Sequence, residues 1–342
     1  MYSNALASII NFCTLGQKNG IVWYHPHYFN TEDLETWDKT FYIMMIKDKK
    51  RMNAYRNAIK KAAKGKIVLE IGTGAYYPLA KMCVEAGAKK VYAIEGNKKA
   101  FQMLKEGIKK DGIDNKMEIL EGFSTNIKTL PQKAELLVHE LIGSVGSDEG
   151  MGAFVADAKK RFLADNASFI PFSCKTVISP IMWPGNSSLY NIVFNALRFI
   201  KKPWNPFNKN FNLMHNIYMV WNLPETCLLN APLEFERIDF NENYPLEENK
   251  RLSFKIEKKS LFNGLYLWSI ITVDKENIID CYRETTWPCV YLELSKKGVE
   301  LTEGDELILE TYRNITKNPF YQVKAYFNRG NTKIDIGEFK LG

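Results

Sequence analysis

The sequence has few of the residues that build metal sites or disulfide frameworks. Its 342 residues include six cysteines and four histidines, and no two cysteines form a CxxC pair. This usage favours reduced core thiols over disulfides or a zinc site. His25 and His27 alternate in WYHPHYF, but no further ligand cluster lies near them in the chain. We therefore expect no resident metal, and we interpret the two histidines as packing or substrate-side residues.

Long apolar runs are also missing. No stretch approaches the roughly 20 apolar residues that a membrane-spanning helix needs, and the opening residues lack the basic leader and apolar segment of a secretory signal. The chain has no internal repeat and no low-complexity tract. With 46% hydrophobic and 25% charged residues, the composition predicts a globular, cytoplasmic protein without a membrane partner.

Positive charge is concentrated in one segment. The net charge is +7, and between Lys47 and Lys66 there are nine basic residues and one acidic residue, Asp48. Apolar residues recur in this segment at helical spacing. A solvated helix face therefore explains the charge better than a nucleic-acid site, which stays the minority alternative.

Hydrophobic periodicity divides the chain into three parts. Residues 1–65 contain an amphipathic helical stretch from about residue 31 to residue 64. Residues 66–172 alternate apolar runs with helical stretches, which predicts a Rossmann-like parallel sheet. Residues 173–342 show the period-2 alternation of an antiparallel, β-barrel-like domain, interrupted by an aromatic arm at about 181–225. The predicted fold class is α/β followed by all-β, with N-terminal helices.

Two consecutive strands of the second part predict a nucleotide-type ligand. The strand that contains Glu70 ends at Gly72 and Gly74, which permit a tight turn and a close approach of the ligand to the sheet edge. The next strand ends at Glu95-Gly96, where a carboxylate can accept hydrogen bonds from both hydroxyls of a ribose. Together these features predict an adenosine ligand.

The spacing of the turn favours S-adenosylmethionine over a dinucleotide. Tyr77 stands where a dinucleotide fingerprint has its third glycine, and S-adenosylmethionine has no pyrophosphate that would need this position. Ser124 follows the third strand at residues 117–121. It could bond the adenine edge or merely turn the chain.

A glycine-rich loop after the fourth strand carries two acids, Glu140 and Glu149. Three glycines make a fold-back plausible, which would bring the two carboxylates together. Paired carboxylates repel unless a cation lies between them, and a guanidinium suits the pair better than an ammonium does. The spacing leaves an alternative in which Glu140 caps the following turn and Glu149 caps a helix near Gly150.

A guanidinium acceptor implies a mechanism that depends on positioning. The acceptor has a pKa above about 12 and is a poor nucleophile. The two glutamates would hold one nitrogen in line with the sulfonium methyl and draw positive charge toward the others. Most of the acceleration would come from orientation and electrostatics.

These motifs resemble the protein arginine methyltransferases over roughly residues 40–180, and more loosely to the C-terminus. VLEIGTG, AGAKKVYAIEG and HELIGSVGSDE are similar to successive motifs of that family, and the last is closest to its symmetric-dimethylating branch. The resemblance implies that Arg51 grips the cofactor's carboxylate, that Asp48 supports the active site, and that Met45 helps to set the methylation pattern. Because methionine at this position resembles the asymmetric enzymes, the product type stays open.

Thr285-Thr286-Trp287 falls where the family has a Thr-His-Trp loop. The resemblance implies that Trp287 walls the guanidinium pocket, and an aromatic face suits a flat cation; an ordinary core tryptophan is the alternative. Thr286 in place of histidine is expected to remove a partner of Asp48 and one proton acceptor. Tyr76 replaces the third glycine of the family's GxGxG turn. The resemblance also implies a homodimer built through a projecting arm.

The predicted function is S-adenosylmethionine-dependent N-methylation of arginine in a protein or peptide. The alternatives are a methyltransferase of a small guanidine such as free arginine or agmatine, and a non-catalytic or nucleic-acid-directed member of the fold. The candidate catalytic residues are Met45, Asp48, Glu140, Glu149 and Trp287. The candidate cofactor-binding residues are Arg51, Glu70, Gly72, Gly74, Glu95, Gly96, Ser124 and Glu140.

Overall fold

The structure is a computed structural model that describes residues 22–24, 39–184, 216–283, 285–316 and 318–341. Three sequence predictions fall outside these residues. They are the first turns of the N-terminal helical stretch (31–38), the histidines His25 and His27, and most of the aromatic arm (185–215).

Two helices precede the first sheet. They are α1 (Lys39–Lys47) and α2 (Lys49–Ala62), with Asp48 between them as the N-cap of α2. Helix α2 buries one apolar face, which includes Tyr55 and Ile59. Its basic residues are mostly exposed, and Lys61 pairs with Asp274 and Glu276 of the C-terminal half. The predicted amphipathic helix is confirmed from residue 39 onward.

A parallel sheet follows, with helices between its strands. Its order is β4-β3-β2-β5-β6. Strand β2 is buried along its whole length, because helices cover both faces of such a sheet. The strands are β2 (Ile67–Ile71), β3 (Lys90–Glu95), β4 (Met117–Glu121), β5 (Ala134–His139) and β6 (Leu163–Ile170), and the helices are α3 (Pro78–Glu85), α4 (Lys98–Lys110) and α5 (Met151–Arg161).

The rest of the described chain is antiparallel. Strand β1 (Val22–Tyr24) joins a sheet whose order is β1-β8-β14-β12-β7-β9, with β13 paired to β12; the other sheets are β10-β16-β17-β18 and β11-β15. The strands are β7 (Ser173–Ile181), β8 (Ile217–Trp221), β9 (Leu233–Asp239), β10 (Glu247–Lys255), β11 (Ser260–Phe262), β12 (Gly264–Thr272), β13 (Ile278–Asp280), β14 (Cys289–Glu293), β15 (Val299–Leu301), β16 (Glu306–Asn314), β17 (Phe320–Arg329) and β18 (Thr332–Leu341).

This arrangement confirms the predicted fold class, a Rossmann-like sheet followed by antiparallel sheets, whereas the barrel-like closure stays a prediction. One detail of the predicted arm is wrong. Residues 217–221, assigned to an arm outside the sheet, form strand β8, which pairs with β14. Its apolar residues pack into the sheet, so the aromatic composition there reflects a core strand. Among the described helices, none is both long and apolar enough to cross a membrane.

Candidate active site

The turn after β2 brings the backbone close to two other elements. Gly72 and Gly74 have φ angles of +77° and +73°, in the left-handed region that side chains rarely adopt. A Cβ at Gly72 would lie 2.7 Å from Leu141 Cδ2, and one at Gly74 would lie 2.9 Å from Tyr42 Cε1. Both glycines are therefore required by conformation and by space.

Glu95 lies at the end of β3 and closes this turn. Its Oε2 accepts from the Gly74 N–H at 2.6 Å, and its Oε1 accepts from the Asn97 N–H at 2.7 Å. Burial raises the pKa of Glu95, while the backbone N–H groups of Asn97, Gly74 and Gly96 lower it. A carboxylate offers about four acceptor sites, which these N–H groups do not fill, so acceptor capacity remains for a ligand's hydroxyl group.

Ser124 lies at the edge of the same sheet, and its side chain is buried. The residue is 1% exposed, and its Oγ has no hydrogen bond within the described part of the chain. Its backbone oxygen accepts from Arg161 Nη2 at 2.8 Å, and Arg161 also pairs with Asp157. The arginine thereby fixes the turn that presents Ser124.

Glu70 is buried inside β2 rather than at the edge of the turn. It is 1% exposed, and burial raises its pKa well above the usual range, partly offset by hydrogen bonds from Thr73 and the Ala80 backbone. These contacts connect β2 with the start of α3. Glu70 therefore stabilises the turn from inside the protein. Its Oε2 has no hydrogen bond among the described residues.

Asp48 connects the N-terminal helices to the C-terminal half. It is fully buried; its Oδ1 accepts from the Arg51 N–H at 3.0 Å. Its Oδ2 accepts from the Thr286 N–H at 2.8 Å and from the Thr286 hydroxyl at 3.0 Å. The expectation that Thr286 removes a partner of Asp48 is therefore wrong, because threonine supplies two donors to the same oxygen.

Arg51, Trp287 and Glu140 form a direct contact. The guanidinium carbon of Arg51 lies 3.2 Å from the centroid of the Trp287 ring, and Arg51 Nη1 lies 3.3 Å from Glu140 Oε2. The Trp287 Nε1 donates to the Ile142 oxygen at 2.8 Å, within the glycine-rich loop. Trp287 is thus a buried residue with a cation on its face, and that cation is the chain's own arginine.

Glu140 and Glu149 both lie in the field of Arg51. Burial raises the pKa of Glu140 to about 7; Arg51 lowers it, and Glu149 and Asp48 raise it further. Burial also raises the pKa of Glu149, and Arg51 opposes that shift. Glu149 therefore lies near enough to Glu140 to oppose its ionisation, and the described residues provide no hydrogen bond or ion pair to Glu149.

The geometry disfavours the capping alternative for the two glutamates. Helix α5 begins at Met151 behind Gly150, and no side chain caps it. Glu140 pairs with Arg51 instead of the following turn.

Met45 lies at the end of α1 and is half-buried. Its backbone oxygen accepts from the Asp48 N–H at 3.2 Å. Among the described residues, no group of three or more His, Cys, Asp or Glu side chains could hold a metal ion.

The chain is similar to known arginine methyltransferases over much of its length. Residues 31–170 match the family described as PRMT5 arginine-N-methyltransferase. Protein arginine N-methyltransferase 6 of Xenopus laevis is 27% identical over 282 residues, which are 76% of this chain and 79% of that protein. PRMT10 of Arabidopsis thaliana is 34% identical over 140 residues, 40% of this chain and 36% of that protein. The chain is therefore similar in sequence to protein arginine N-methyltransferases.

Solved structures of protein arginine N-methyltransferases share the fold. The Trypanosoma brucei PRMT1 enzyme-prozyme complex with AdoHcy matches with a TM-score of 0.67 and 17% identity, over 88% of this chain and 96% of that chain. Arabidopsis thaliana protein arginine methyltransferase 10 matches with a TM-score of 0.66 and 20% identity, over 89% and 97%. The order of a parallel sheet followed by antiparallel sheets is therefore the family's fold.

Sequence reasoning missed two residues of this candidate site. Tyr42 of α1 packs on Gly74 and contacts the Tyr76 ring edge to face at 6.4 Å. Burial raises the pKa of Tyr42, and Glu95 and Glu149 raise it further, so this ring lies between the two halves of the site. The second missed residue is Arg161, which donates to the Ser124 backbone oxygen. Neither residue lies in a motif, and only the packing shows its role.

Proposed function

We propose that this chain is an S-adenosylmethionine-dependent protein arginine N-methyltransferase in which Glu140 and Glu149 orient the acceptor guanidinium. One observation carries the proposal. Two half-buried carboxylates lie near a guanidinium whose central carbon is 3.2 Å from the centroid of the Trp287 ring, beside a glycine turn suited to a nucleoside. The site's charge and shape therefore fit the group that the reaction would modify.

The residues of the glycine turn fit S-adenosylmethionine. Glu95 can accept from the ribose hydroxyls. The buried Ser124 Oγ has no hydrogen bond in the part of the chain that the structure describes, and it can bond the adenine edge. The buried Arg51 Nε also has no hydrogen bond within the described residues, so it can donate to the carboxylate at the methionine end. S-adenosylmethionine supplies a methyl group on a sulfonium, which is already an activated leaving group.

The two glutamates would bind and polarise the acceptor. Glu140 shares Oε2 with Arg51, which leaves its Oε1 and both oxygens of Glu149 for the N–H groups of the incoming guanidinium. Two carboxylates against one planar fork fix its orientation. They also draw the positive charge toward the bonded nitrogens, so that the remaining nitrogen keeps more lone-pair density. Positioning and electrostatics then provide the acceleration.

The glutamates are also titratable groups that can take the proton released by the acceptor. Thr286 has no titratable side chain, and its hydroxyl donates to Asp48. Burial raises the pKa of Glu140 to about 7 and raises that of Glu149. A carboxylate with a raised pKa accepts a proton near neutral pH more readily than an exposed one.

We propose an arginine in a protein as the acceptor, as the relatives' names indicate for those proteins. A homodimer and a cytoplasmic location are further parts of this proposal. Analytical ultracentrifugation of the full chain tests the dimer, because a single species of 39.4 kDa would contradict it.

The proposed function is tested by following a labelled methyl group. The protein is incubated with methyl-labelled S-adenosylmethionine and either arginine-rich proteins and peptides or free arginine and agmatine. We expect label on arginine side chains of the proteins and peptides. Label on lysine, nucleic acid or the free guanidines alone would contradict the proposal.

Glutamine variants test the role of the glutamates. Glu140→Gln and Glu149→Gln should each lower turnover at least about a hundredfold, because an amide adds no negative charge and presents donors to the guanidinium. Cofactor affinity should change less than about threefold, which isothermal titration can measure. The matched control is Glu85→Gln, an exposed residue of α3. Turnover equal to that of the control would refute the role of the glutamates.

A further inference from the structure

The loop between the two glutamates is held by groups that the proposed reaction does not use. Within the loop, the Gly143 N–H donates to the Gly146 oxygen at 3.3 Å, and the Val145 N–H donates to Asp148 Oδ2 at 3.1 Å. These local bonds close the loop on itself. They do not fix its position relative to the sheets.

Besides the bond from Trp287 to the Ile142 oxygen, a carboxylate of strand β9 anchors the loop to the C-terminal half. Glu236 Oε1 accepts from the Ser147 N–H at 3.2 Å and from the Thr176 hydroxyl at 2.9 Å. Thr176 Oγ1 in turn accepts from the Gly146 N–H at 2.9 Å. Two consecutive N–H groups of the loop are therefore bound, one directly and one through Thr176, to a single oxygen of the C-terminal half.

A buried arginine compensates the charge of this anchor. Arg313 Nη1 lies 3.2 Å from Glu236 Oε2, and both side chains are almost completely buried. Arg313 Nε also donates to Glu248 Oε2 at 3.0 Å. An unpaired buried carboxylate is strongly disfavoured, so Glu236 needs Arg313 as its partner in this buried position. The pair lies outside the contact of Arg51, Trp287 and Glu140.

The loop is shaped to approach this anchor. A Cβ at Gly146 would lie 2.9 Å from Cys174 Sγ, 3.1 Å from Glu236 Oε1 and 3.2 Å from Thr176 Oγ1. A side chain there would push the loop backbone away from the carboxylate. The glycine and the buried ion pair are therefore parts of one arrangement.

We propose that Glu236, held by Arg313, is a positioning residue for methyl transfer, which fixes the loop 143–148 through Gly146 and Ser147 and so sets Glu149 against Glu140. This inference rests on the proposed function. It extends that function to an ion pair in the C-terminal half, which touches neither the acceptor nor the cofactor.

The test compares two glutamates that share Arg313. Glu236→Gln places an amide where Arg313, the Thr176 hydroxyl and the Ser147 N–H all donate, so one donor must face another. Glu248→Gln removes a carboxylate from the same guanidinium, but Glu248 bonds to Arg313 and Lys250 and, among the described residues, not to the loop. We expect Glu236→Gln to lower kcat about tenfold or more with little change in cofactor affinity, and Glu248→Gln to stay near the wild type.

A second pair of variants separates positioning from folding. Thr176→Val removes the hydroxyl that links Gly146 to Glu236, whereas Thr176→Ser keeps it. We expect kcat to fall in the valine variant and to stay near the wild-type value in the serine variant. A merely structural role would lower the melting temperature of both variants without this split in kcat.

Hydrogen exchange gives a readout that does not depend on substrate. Amides of residues 141–150 should exchange faster in Glu236→Gln than in Glu248→Gln or the wild type. If both variants exchange alike and lose kcat in parallel, the inference is overturned. If the wild type methylates no arginine, the proposed function fails, and the exchange rates still decide whether Glu236 holds the loop.

Discussion

Asp48→Asn removes the carboxylate that joins the N-terminal helices to the Thr286 loop. In the structure this side chain accepts three hydrogen bonds, one from the Arg51 N–H and two from Thr286. Asparagine keeps one acceptor oxygen. The amide will keep that oxygen on the two Thr286 donors and turn its NH2 toward the Arg51 N–H, which abolishes the cap of α2.

The expected cost follows from these contacts. Loss of an N-cap side chain costs about 1 kcal/mol. A hydrogen bond to a charged acceptor is worth about 1 kcal/mol more than a neutral one, and two such bonds to Thr286 are weakened. We therefore expect Asp48→Asn to lower the free energy of unfolding by about 3 kcal/mol. Thr286→Val, which removes only the hydroxyl bond, should cost about 1 kcal/mol.

Equilibrium urea unfolding, followed by circular dichroism, measures both effects and their coupling. Because the two side chains share one oxygen, the double variant should be less destabilised than the sum of the single variants by about 1 kcal/mol. Thr286→Ser, which keeps both donors, is the control. Additive effects, or an Asp48→Asn variant as stable as the wild type, would refute the assigned geometry.

Two further outcomes are expected. Burial raises the pKa of Glu140 to about 7, so the ionised form that would bind a guanidinium becomes more populated as pH rises. We therefore expect kcat/KM for the acceptor to increase about tenfold from pH 6 to pH 8. A flat pH profile would contradict this prediction. Arg161→Lys loses the hydrogen bond to the Ser124 oxygen and should raise the KM for the cofactor about threefold to tenfold, with kcat unchanged. Lys160→Gln, at an exposed neighbouring position, is the control. Equal KM values for the two variants would exclude a role of Arg161 in positioning Ser124.

The sequence was most informative where the chemistry lies in short motifs. Gly72, Gly74 and Glu95 lie within 24 residues of each other, and consecutive strands of a parallel sheet place them at one edge. Glu140 and Glu149 are separated by one loop. In these cases local spacing and the sheet's geometry suffice, and the structure brings the residues together as predicted.

Contacts between distant parts of the chain could not be predicted in this way. Asp48 and Thr286 are 238 positions apart, and Glu236 and Ser147 are 89 apart. Their meeting depends on how the antiparallel sheets pack on the parallel one. Strand β8 was missed for a related reason: its aromatic residues indicate burial, but a short strand has no helical or alternating pattern long enough to identify it.

A side chain at position 286 could perform two tasks: it could orient Asp48, and it could accept a proton. Orientation needs donors aimed at Asp48, and threonine provides two of them from its N–H and hydroxyl. Proton acceptance needs a titratable group, which threonine lacks. Threonine at position 286 is therefore compatible with the observed contact of Trp287 and Arg51, and in the proposed mechanism Glu140 and Glu149 accept the proton. Since the pKa of Glu140 is raised to about 7, the pH profile of turnover should reflect this carboxyl group rather than an imidazole.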